Sequence, residues 1–237
     1  MIPLDRFRVI LLDMNSTFMF GEDRFGPAED FGATYRALGG RALPPTEVER
    51  AVRAAYRYLA ARYEDPACED DFPSLAEALA AVVPELPEPE RALVGAVFAD
   101  HECGAVPPAY AAALRVLGTT HELRLLTNIW APRARWIAEL GRAGVLPLFR
   151  RAVFSSDTRS VKPSAHLVRA ALDGMVCAPG EVLMVGDSLP RDMVAGRRAG
   201  LTTVWVAPTP GVPPEGAGLV DYRVPSLLAL AGGAAGC

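Results

Sequence analysis

From residue 109 onward, the sequence alternates between helix-like and strand-like segments, and this alternation constrains the fold more than any other feature. The strands predicted in this part are the apolar runs at 122–126, 152–155, 181–185 and 202–206, with a last short run at 222–224. A further strand is predicted near the start of the chain, at 8–12. Strand–helix alternation is typical of a parallel sheet that carries helices on both faces. The sequence therefore predicts an α/β fold with a doubly wound, Rossmann-like parallel sheet.

A stretch of different character separates the first two strands. Its Ala- and Leu-rich segments have helical spacing at 28–38, 46–63, 74–83 and 89–99, and prolines separate them. Thr46, with Glu49 three residues later, has the pattern of a capping box and predicts a helix start. An insertion of this size is large enough for a small all-helical domain. We therefore predict a core domain formed by residues 1–20 and 105–237 and a helical domain formed by 21–104.

The composition argues against two classes of partner. The formal net charge is −4, whereas nucleic-acid binding generally needs a basic excess. No window approaches the ~18 apolar residues of a membrane span, and Arg6 and Arg8 interrupt any signal-peptide pattern. The four cysteines are scattered without a CxxC pair, which predicts reduced thiols. These features predict a cytoplasmic protein without nucleic-acid or membrane partners.

Lysine occurs once in the chain. Of the 24 basic residues, Lys162 is the only one that is not arginine. A lysine ammonium is a compact point charge, whereas a guanidinium is a broad planar fork, so the two do not fit the same buried site. This pattern draws attention to Lys162 as a candidate functional residue.

Polar residues follow the predicted strands at four points. They are Asp13, Asn15, Ser16 and Thr17 after the first strand, Thr127 and Asn128 after the second, Lys162 past the third, and Asp187 and Asp192 after the fourth. Ligands of open parallel sheets bind beyond the carboxyl ends of the strands, so we expect these side chains to meet. Carboxylates hold hard cations such as Mg²⁺ or attack phosphorus, and hydroxyl, amide and ammonium donors suit phosphoryl oxygens.

These groups resemble the four motifs of the haloacid dehalogenase-like superfamily. The motifs are a strand then Asp-x-Asp-x-Thr, a strand then Thr/Ser-Asn, a Lys usually followed by Pro, and a strand then Gly-Asp-x-x-x-x-Asp. Here they read Asp13-Met14-Asn15-Ser16-Thr17, Thr127-Asn128, Lys162-Pro163 and Gly186-Asp187 with Asp192. The resemblance covers nearly the whole chain, and the insertion at 21–104 looks like the family's helical cap.

The resemblance implies a Mg²⁺-dependent hydrolase, a phosphatase or phosphotransferase, that acts on a small phosphorylated molecule through an aspartyl-phosphate. Asp13 would be the nucleophile and a metal ligand, the Asn15 carbonyl and Asp187 would also bind Mg²⁺, and Asp192 would orient metal-bound water. Lys162 would neutralise charge near the nucleophile. The residues implied in binding the substrate are Ser16, Thr17, Thr127, Asn128 and Lys162.

Asn15 departs from the family pattern, since phosphatases of the superfamily carry an Asp at this position as the general acid and base. An amide can donate a hydrogen bond but cannot exchange a proton near neutral pH. Three explanations follow: a substrate with a good leaving group, a substitute acid, or loss of hydrolysis with retention of ligand binding. The candidates for a substitute acid are Glu22, Asp23, His101 and Glu102.

Two other functions stay open. A haloacid dehalogenase would also use an Asp nucleophile under a helical cap, but it would attack carbon without Mg²⁺. Against it, Asp187 and Asp192 would crowd Asp13 with carboxylates that need a cation. A non-catalytic phospho-ligand-binding protein is the second alternative, and Asn15 motivates it. Tyr56, Tyr58 and Tyr63 are predicted to pack within the helical insertion, with lining of the substrate entrance as the alternative.

Overall fold

The strands form a six-stranded parallel sheet, as the sequence predicts. The computed structural model describes residues 2–234, and the strands are ordered β3-β2-β1-β4-β5-β6, with every neighbouring pair parallel. Their bounds are β1 Val9–Leu12, β2 Glu122–Thr127, β3 Phe149–Phe154, β4 Val182–Gly186, β5 Thr202–Val206 and β6 Tyr222–Val224. The strand order reverses beside β1, which is the point where ligands bind in open sheets of this kind.

Helices alternate with the strands after residue 107 and form a separate run before it. The helices between β1 and β2 are α1 Phe31–Ala37, α2 Pro45–Tyr63, α3 Leu75–Val82, α4 Glu88–Glu102 and α5 Pro108–Gly118. The later helices are α6 Ala134–Arg142, α7 Ala165–Leu172, α8 Val194–Arg198 and α9 Leu227–Ala234. The predicted α/β fold class is confirmed, with a helical insertion between the first two strands.

The central strand is buried on both faces. Ile10 and Leu12 pack into one hydrophobic cluster, and Val9 and Leu11 pack into the other. Alternate side chains of a strand point to opposite faces, so a strand covered on both sides reads as an unbroken apolar run. This burial fixes the carboxyl end of β1, where Asp13 follows directly.

The capping box predicted at Thr46 is wrong. The helix α2 begins one residue earlier, with Pro44 at the N-cap and Pro45 in the first turn, and no side chain caps it. Proline suits this position because its fixed φ matches the helix and it has no N–H to satisfy. A capping box instead starts α3, where Ser74 and Glu77 exchange hydrogen bonds.

Two features of the second half differ from the predicted elements. The strand β3 begins at Phe149, three residues before the predicted run. The helix α9 was not predicted, and its Leu227 and Leu230 are buried in the same cluster as Leu114 of α5. Packing against distant segments determines the start of β3 and the presence of α9, and the local sequence gives no signal for this packing.

Membrane and redox features agree with the composition. In the described part of the chain, no helix is long and apolar enough to cross a bilayer. Cys68, Cys103 and Cys177 are free thiols. Cys237 lies outside the described residues.

Two helical glycines provide a test of the packing. A Cβ on Gly196 of α8 would lie 2.8 Å from Thr203 Cγ2 and 3.0 Å from Met184 Cβ, whereas a Cβ on Gly95 of α4 would meet its nearest atom at 3.6 Å. Gly196→Ala is therefore expected to lower the free energy of unfolding by about 1–3 kcal/mol through overpacking. Gly95→Ala, the matched control, is expected to raise it by about 0.5–1 kcal/mol. Urea denaturation of both variants checks this, and equal effects would contradict close packing of α8 on the sheet.

Candidate active site

The site lies at the carboxyl ends of β1 and β4. Asp13 follows β1 directly, and its backbone N–H donates to the Val185 carbonyl of β4 at 2.8 Å. Asp187 follows β4 directly. Because parallel strands end at the same edge of the sheet, their register brings the two carboxylates together.

A tight turn after Asp13 presents the rest of the first motif. The N–H groups of Thr17, Phe18 and Met19 all donate to the Met14 carbonyl. Ser16 adopts φ +55°, in the left-handed region that non-glycine residues seldom occupy, and such strain often accompanies functional loops. The fully buried Thr17 hydroxyl donates to Asp13 Oδ2 at 3.3 Å, so Thr17 helps to orient the Asp13 carboxylate.

Lys162 is the electrostatic centre of the site. It is 2% exposed, and its ammonium donates to Asp13 Oδ1, to Asp192 Oδ1 at 2.6 Å and to the Leu126 carbonyl at 3.1 Å. All three donors are therefore used. Burial opposes the charged form, but the two carboxylates outweigh burial and raise the pKa of Lys162 above its usual range.

Asp192 is aimed at the site by a π-helical turn at Leu189–Met193 that precedes α8. Its Oδ1 accepts from Lys162, and its Oδ2 accepts from the Ser188 N–H at 3.0 Å. The carboxylate also lies against Gly186, where a Cβ would come within 2.3 Å of Oδ2. Only glycine leaves room here, which explains the Gly-Asp pair at the end of β4.

The carboxylates of Asp13, Asp187 and Asp192 converge. One oxygen from each lies within 4.8 Å of the others. Burial, followed by repulsion from Asp13 and Asp192, raises the pKa of Asp187, and burial likewise raises the pKa of Asp13 although Lys162 opposes it. Lys162 supplies one positive charge for three carboxylates. The all-oxygen donor set and its excess negative charge therefore fit a hard divalent cation.

These residues open onto a cavity of about 340 Å³. The predicted site residues that line it are Asp13, Asn15, Ser16, Asn128, Lys162, Asp187 and Asp192. Thr17 and Thr127 do not line it. Thr127 is fully buried at the end of β2, and its hydroxyl has no hydrogen-bond partner within the described residues.

Several lining residues were not predicted as site residues. They are Tyr56, Tyr63, Glu64, Trp130, Ser188, Pro190 and Arg191. The Tyr63 hydroxyl accepts from Asn128 Nδ2 at 2.8 Å, and the Arg191 guanidinium stacks on the Tyr63 ring at 4.0 Å. Packing within the helical insertion was the first prediction for Tyr56 and Tyr63, and their place in the cavity wall agrees with the alternative, lining of the substrate entrance.

The four candidates for a substitute acid differ in whether they line the cavity and in whether their oxygens already hold hydrogen bonds. Glu22, Asp23 and Glu102 line the cavity, and His101 does not, because its ring nitrogens bond to the Thr34 hydroxyl and the Arg24 carbonyl. Both oxygens of Glu102 accept backbone N–H groups, from residues 130 and 131. Desolvation and the neighbouring Glu22 raise the pKa of Asp23 to about 6. Glu22 and Asp23 are therefore the candidates that the geometry retains.

Comparison with known proteins relates the chain to hydrolases and phosphatases. A family model described as HAD-hydrolase-like matches residues 161–210. N-acylneuraminate-9-phosphatase of Rattus norvegicus is 30% identical over 110 residues, 46% of this chain and 44% of the relative. Phosphoserine phosphatase of Thermus thermophilus is 34% identical over 123 residues, 51% and 48% of the two chains. The chain thus matches about half the length of these relatives.

Solved structures share the fold over nearly the whole chain. A HAD phosphatase from Thermococcus onnurineus has a TM-score of 0.63 at 21% identity and covers 94% of this chain and 96% of its own. A 2-haloacid dehalogenase from Pseudomonas syringae reaches 0.64 with the same identity and coverage. The magnesium-bound HAD-hydrolase YfnB of Bacillus subtilis reaches 0.58 at 19% identity, covering 95% and 97%. In its fold and in the segment 161–210, the chain is therefore similar to hydrolases of the haloacid dehalogenase-like superfamily.

Removal of the single lysine tests the charge balance. Lys162→Met leaves two buried carboxylates without their cation, and we expect a loss of about 3–5 kcal/mol in the free energy of unfolding at neutral pH. The loss is expected to shrink in acid, where the carboxylates are protonated. Lys162→Arg keeps the charge but adds two donors without room for them, and it is expected to destabilise as well. Denaturation in EDTA checks this, and a wild-type stability for Lys162→Met would rule out the balance described.

Glu102 provides a pH test. Burial raises its pKa from 4.5 to about 8 against the opposing backbone hydrogen bonds. Between pH 4.5 and about pH 8, Glu102 is protonated in the folded state and ionised in the unfolded state. The free energy of unfolding therefore falls as the pH rises through this range. Glu102→Gln does not titrate, and its stability is expected to fall less steeply from pH 5 to pH 8. Urea denaturation across this range checks the slope, with the exposed Glu215→Gln as the control that keeps the wild-type slope.

Proposed function

We propose that the protein is a Mg²⁺-dependent phosphohydrolase that acts on a small phosphorylated molecule through an aspartyl-phosphate on Asp13. The observation that carries the proposal is the Asp13 carboxylate held between the Lys162 ammonium and the Asp187 carboxylate at the open edge of the sheet. The relatives named as phosphatases support it.

The site residues fit the metal in distinct ways. Asp13, Asp187 and the backbone carbonyl of Asn15 would hold Mg²⁺, which, when bound, neutralises charge on the phosphoryl oxygens. Both oxygens of Asp192 already accept hydrogen bonds, one from Lys162 and one from the Ser188 N–H. Asp192 would therefore orient the surroundings of the metal, as the sequence predicted.

Asp13 would attack the phosphorus atom in line with the leaving oxygen. One Asp13 oxygen forms the new bond, the ester oxygen leaves with the bonding electrons, and water then hydrolyses the aspartyl-phosphate to release phosphate and restore the carboxylate. Lys162 holds Asp13 in place and offsets its negative charge, which lowers the repulsion between carboxylate and phosphate.

Asn15 limits the leaving groups that this site accepts. General acid catalysis is typically worth about 10²–10⁴-fold, and an amide does not supply it. The Asn15 Oδ1 atom is buried without a hydrogen-bond partner in the described chain. The substrate would then carry a good leaving group, or Glu22 or Asp23 would protonate the leaving oxygen.

We also propose that the insertion at 21–104 acts as a cap over a core formed by 1–20 and 105–237. Phe20 and Ala105 exchange backbone hydrogen bonds at 2.9 Å in both directions, so the two ends of the insertion leave the core side by side. Tyr63 at the end of α2 bonds to Asn128 across the cavity. This contact would help exclude water from the reaction.

Two alternatives are weighed against this proposal. The dehalogenase structures share the fold, but an enzyme that attacks carbon without a metal has no use for the crowded carboxylates of Asp187 and Asp192, whose repulsion with Asp13 demands a cation. A phospho-ligand-binding protein would use the same residues, and Asn15 is the observation that favours it. Capture of ligand at one equivalent without turnover would support that alternative.

The activity test is phosphate release from an aryl and an alkyl phosphate, with and without Mg²⁺. Wild-type protein is expected to hydrolyse the aryl ester only with Mg²⁺, and Asp13→Asn is expected to release none. Asn15→Asp is expected to raise the alkyl rate more than the aryl rate, by up to about 10²–10⁴-fold, because it restores a general acid.

Two outcomes would change this view. An unaltered alkyl rate in Asn15→Asp, combined with a lower alkyl rate in Asp23→Asn or Glu22→Gln, would assign the acid to the cap side of the cavity. Absence of phosphate release from both esters in every variant would remove generic phosphomonoesterase activity and favour the binding protein.

A further inference from the structure

Aromatic rings form part of the cavity wall, and we call the part lined by Tyr56, Trp130, Glu22 and Asp23 the second compartment. Tyr56 and Trp130 line it, with ring centroids 5.5 Å apart and planes tilted by 50°. Tyr63 also packs on Trp130, with ring centroids 5.6 Å apart, and Arg191 covers one face of the Tyr63 ring. Tyr56 packs on Phe25 as well, and Trp130 on Phe72 and Phe98, so a ligand can reach only the parts of the Tyr56 and Trp130 rings that line the cavity.

Carboxylates stand beside these rings. Glu22, Asp23 and Glu64 line the cavity in addition to the catalytic acids. Glu22 Oε1 accepts from the Ser16 hydroxyl at 2.7 Å, while its Oε2 is buried without a partner in the described chain. A buried carboxylate oxygen that lacks a donor is costly unless a ligand supplies the donor or the charge.

The cations that line the cavity do not neutralise this compartment. Seven carboxyl groups and two cationic side chains line the whole cavity, and of the seven Glu102 keeps its proton up to about pH 8. Lys162 is used by Asp13 and Asp192, and the Arg191 guanidinium donates to the carbonyls of Lys162 and Tyr63. The compartment at Tyr56 and Trp130 therefore keeps an excess of negative charge.

A second metal ion explains this compartment poorly. Among residues 2–234, the convergent group of metal-ligating side chains is Asp13, Asp187 and Asp192, and Glu22, Asp23 and Glu64 form no such group. A hydrated divalent cation also gains little from ring faces. An ammonium group on an organic ligand interacts favourably with the faces of Trp and Tyr rings, and a quaternary ammonium does so most readily because it is weakly hydrated.

We propose that this compartment, formed by Tyr56, Trp130, Glu22 and Asp23, binds an ammonium group of the substrate, which is therefore a phosphate ester of an amino or quaternary-ammonium alcohol. The proposal rests on the proposed phosphohydrolase function and adds the substrate class. The ring faces and the carboxylates both attract the cation, and the cation relieves the repulsion between Glu22 and Asp23. A substrate with a second anionic group would meet these carboxylates and be disfavoured.

A binding measurement tests the compartment without any reaction. Tetramethylammonium chloride is titrated into the metal-free protein while tryptophan fluorescence is followed, with sodium chloride at the same ionic strength as the control. Saturable change is expected with tetramethylammonium alone, and Trp130→Phe is expected to abolish the signal because Trp130 lines the cavity. Tyr56→Leu and Glu22→Gln are expected to weaken binding. Tyr58→Leu and Glu49→Gln, on the same helix but outside the cavity, are the matched controls.

A kinetic measurement tests the substrate class. Choline phosphate and 3,3-dimethylbutyl phosphate have the same shape, but only the first carries a positive charge. The ratio of their kcat/KM values is expected to favour choline phosphate by about 10-fold or more, which corresponds to about 1.4 kcal/mol. Tyr56→Leu and Glu22→Gln are expected to bring the ratio towards one, and Tyr58→Leu is expected to preserve it.

The outcomes separate this inference from the proposed function. Saturable binding of tetramethylammonium without phosphate release from any ester would keep the ammonium compartment and overturn the hydrolase. Hydrolysis of both esters at equal kcat/KM, with no saturable binding of tetramethylammonium, would keep the hydrolase and overturn the ammonium compartment.

Discussion

The arrangement of the site depends on one buried ammonium. Lys162 has three donors, and they reach Asp13 after β1, Asp192 beyond β4 and the Leu126 carbonyl of β2. It therefore joins three neighbouring strand ends and allows two carboxylates to be buried together. A guanidinium in the same volume would bring more donors than acceptors, which gives a physical reason for a single lysine in a chain otherwise supplied with arginine.

The remaining negative charge defines what the site can hold. The three hydrogen bonds of Lys162 go to other groups, and burial together with repulsion from Asp13 raises the pKa of Asp187. The proposed divalent cation would relieve this repulsion beside Asp13. Glu22 and Asp23 line the same cavity as Tyr56, and neither forms a salt bridge within residues 2–234. The same physical requirement, a counter-charge for crowded carboxylates, underlies both the proposed metal site and the proposed ammonium compartment.

The helical insertion and the core meet in this cavity. Tyr56 and Tyr63 come from α2, Trp130 comes from the loop after β2, and Glu22 comes from the segment that leads into the insertion. The backbone pairing of residues 20 and 105 holds the ends of the insertion at the rim of the sheet. The core supplies the groups that would act on phosphorus, and the insertion supplies most of the surface that would meet the rest of the substrate.

The sequence by itself determined the parallel α/β fold and the place of the candidate site residues at one edge of the sheet. Apolar runs with a polar residue at their carboxyl end specify both strand and site, because parallel strands place those ends at one edge. Asp13, Asn128, Lys162 and Asp187 meet in the cavity for this reason. The start of α2, the helix α9 and the aromatic wall at Trp130 were decided only by tertiary structure. Their residue types are typical of packing anywhere in a core, and only contacts between distant segments distinguish a packed ring from one that faces a ligand.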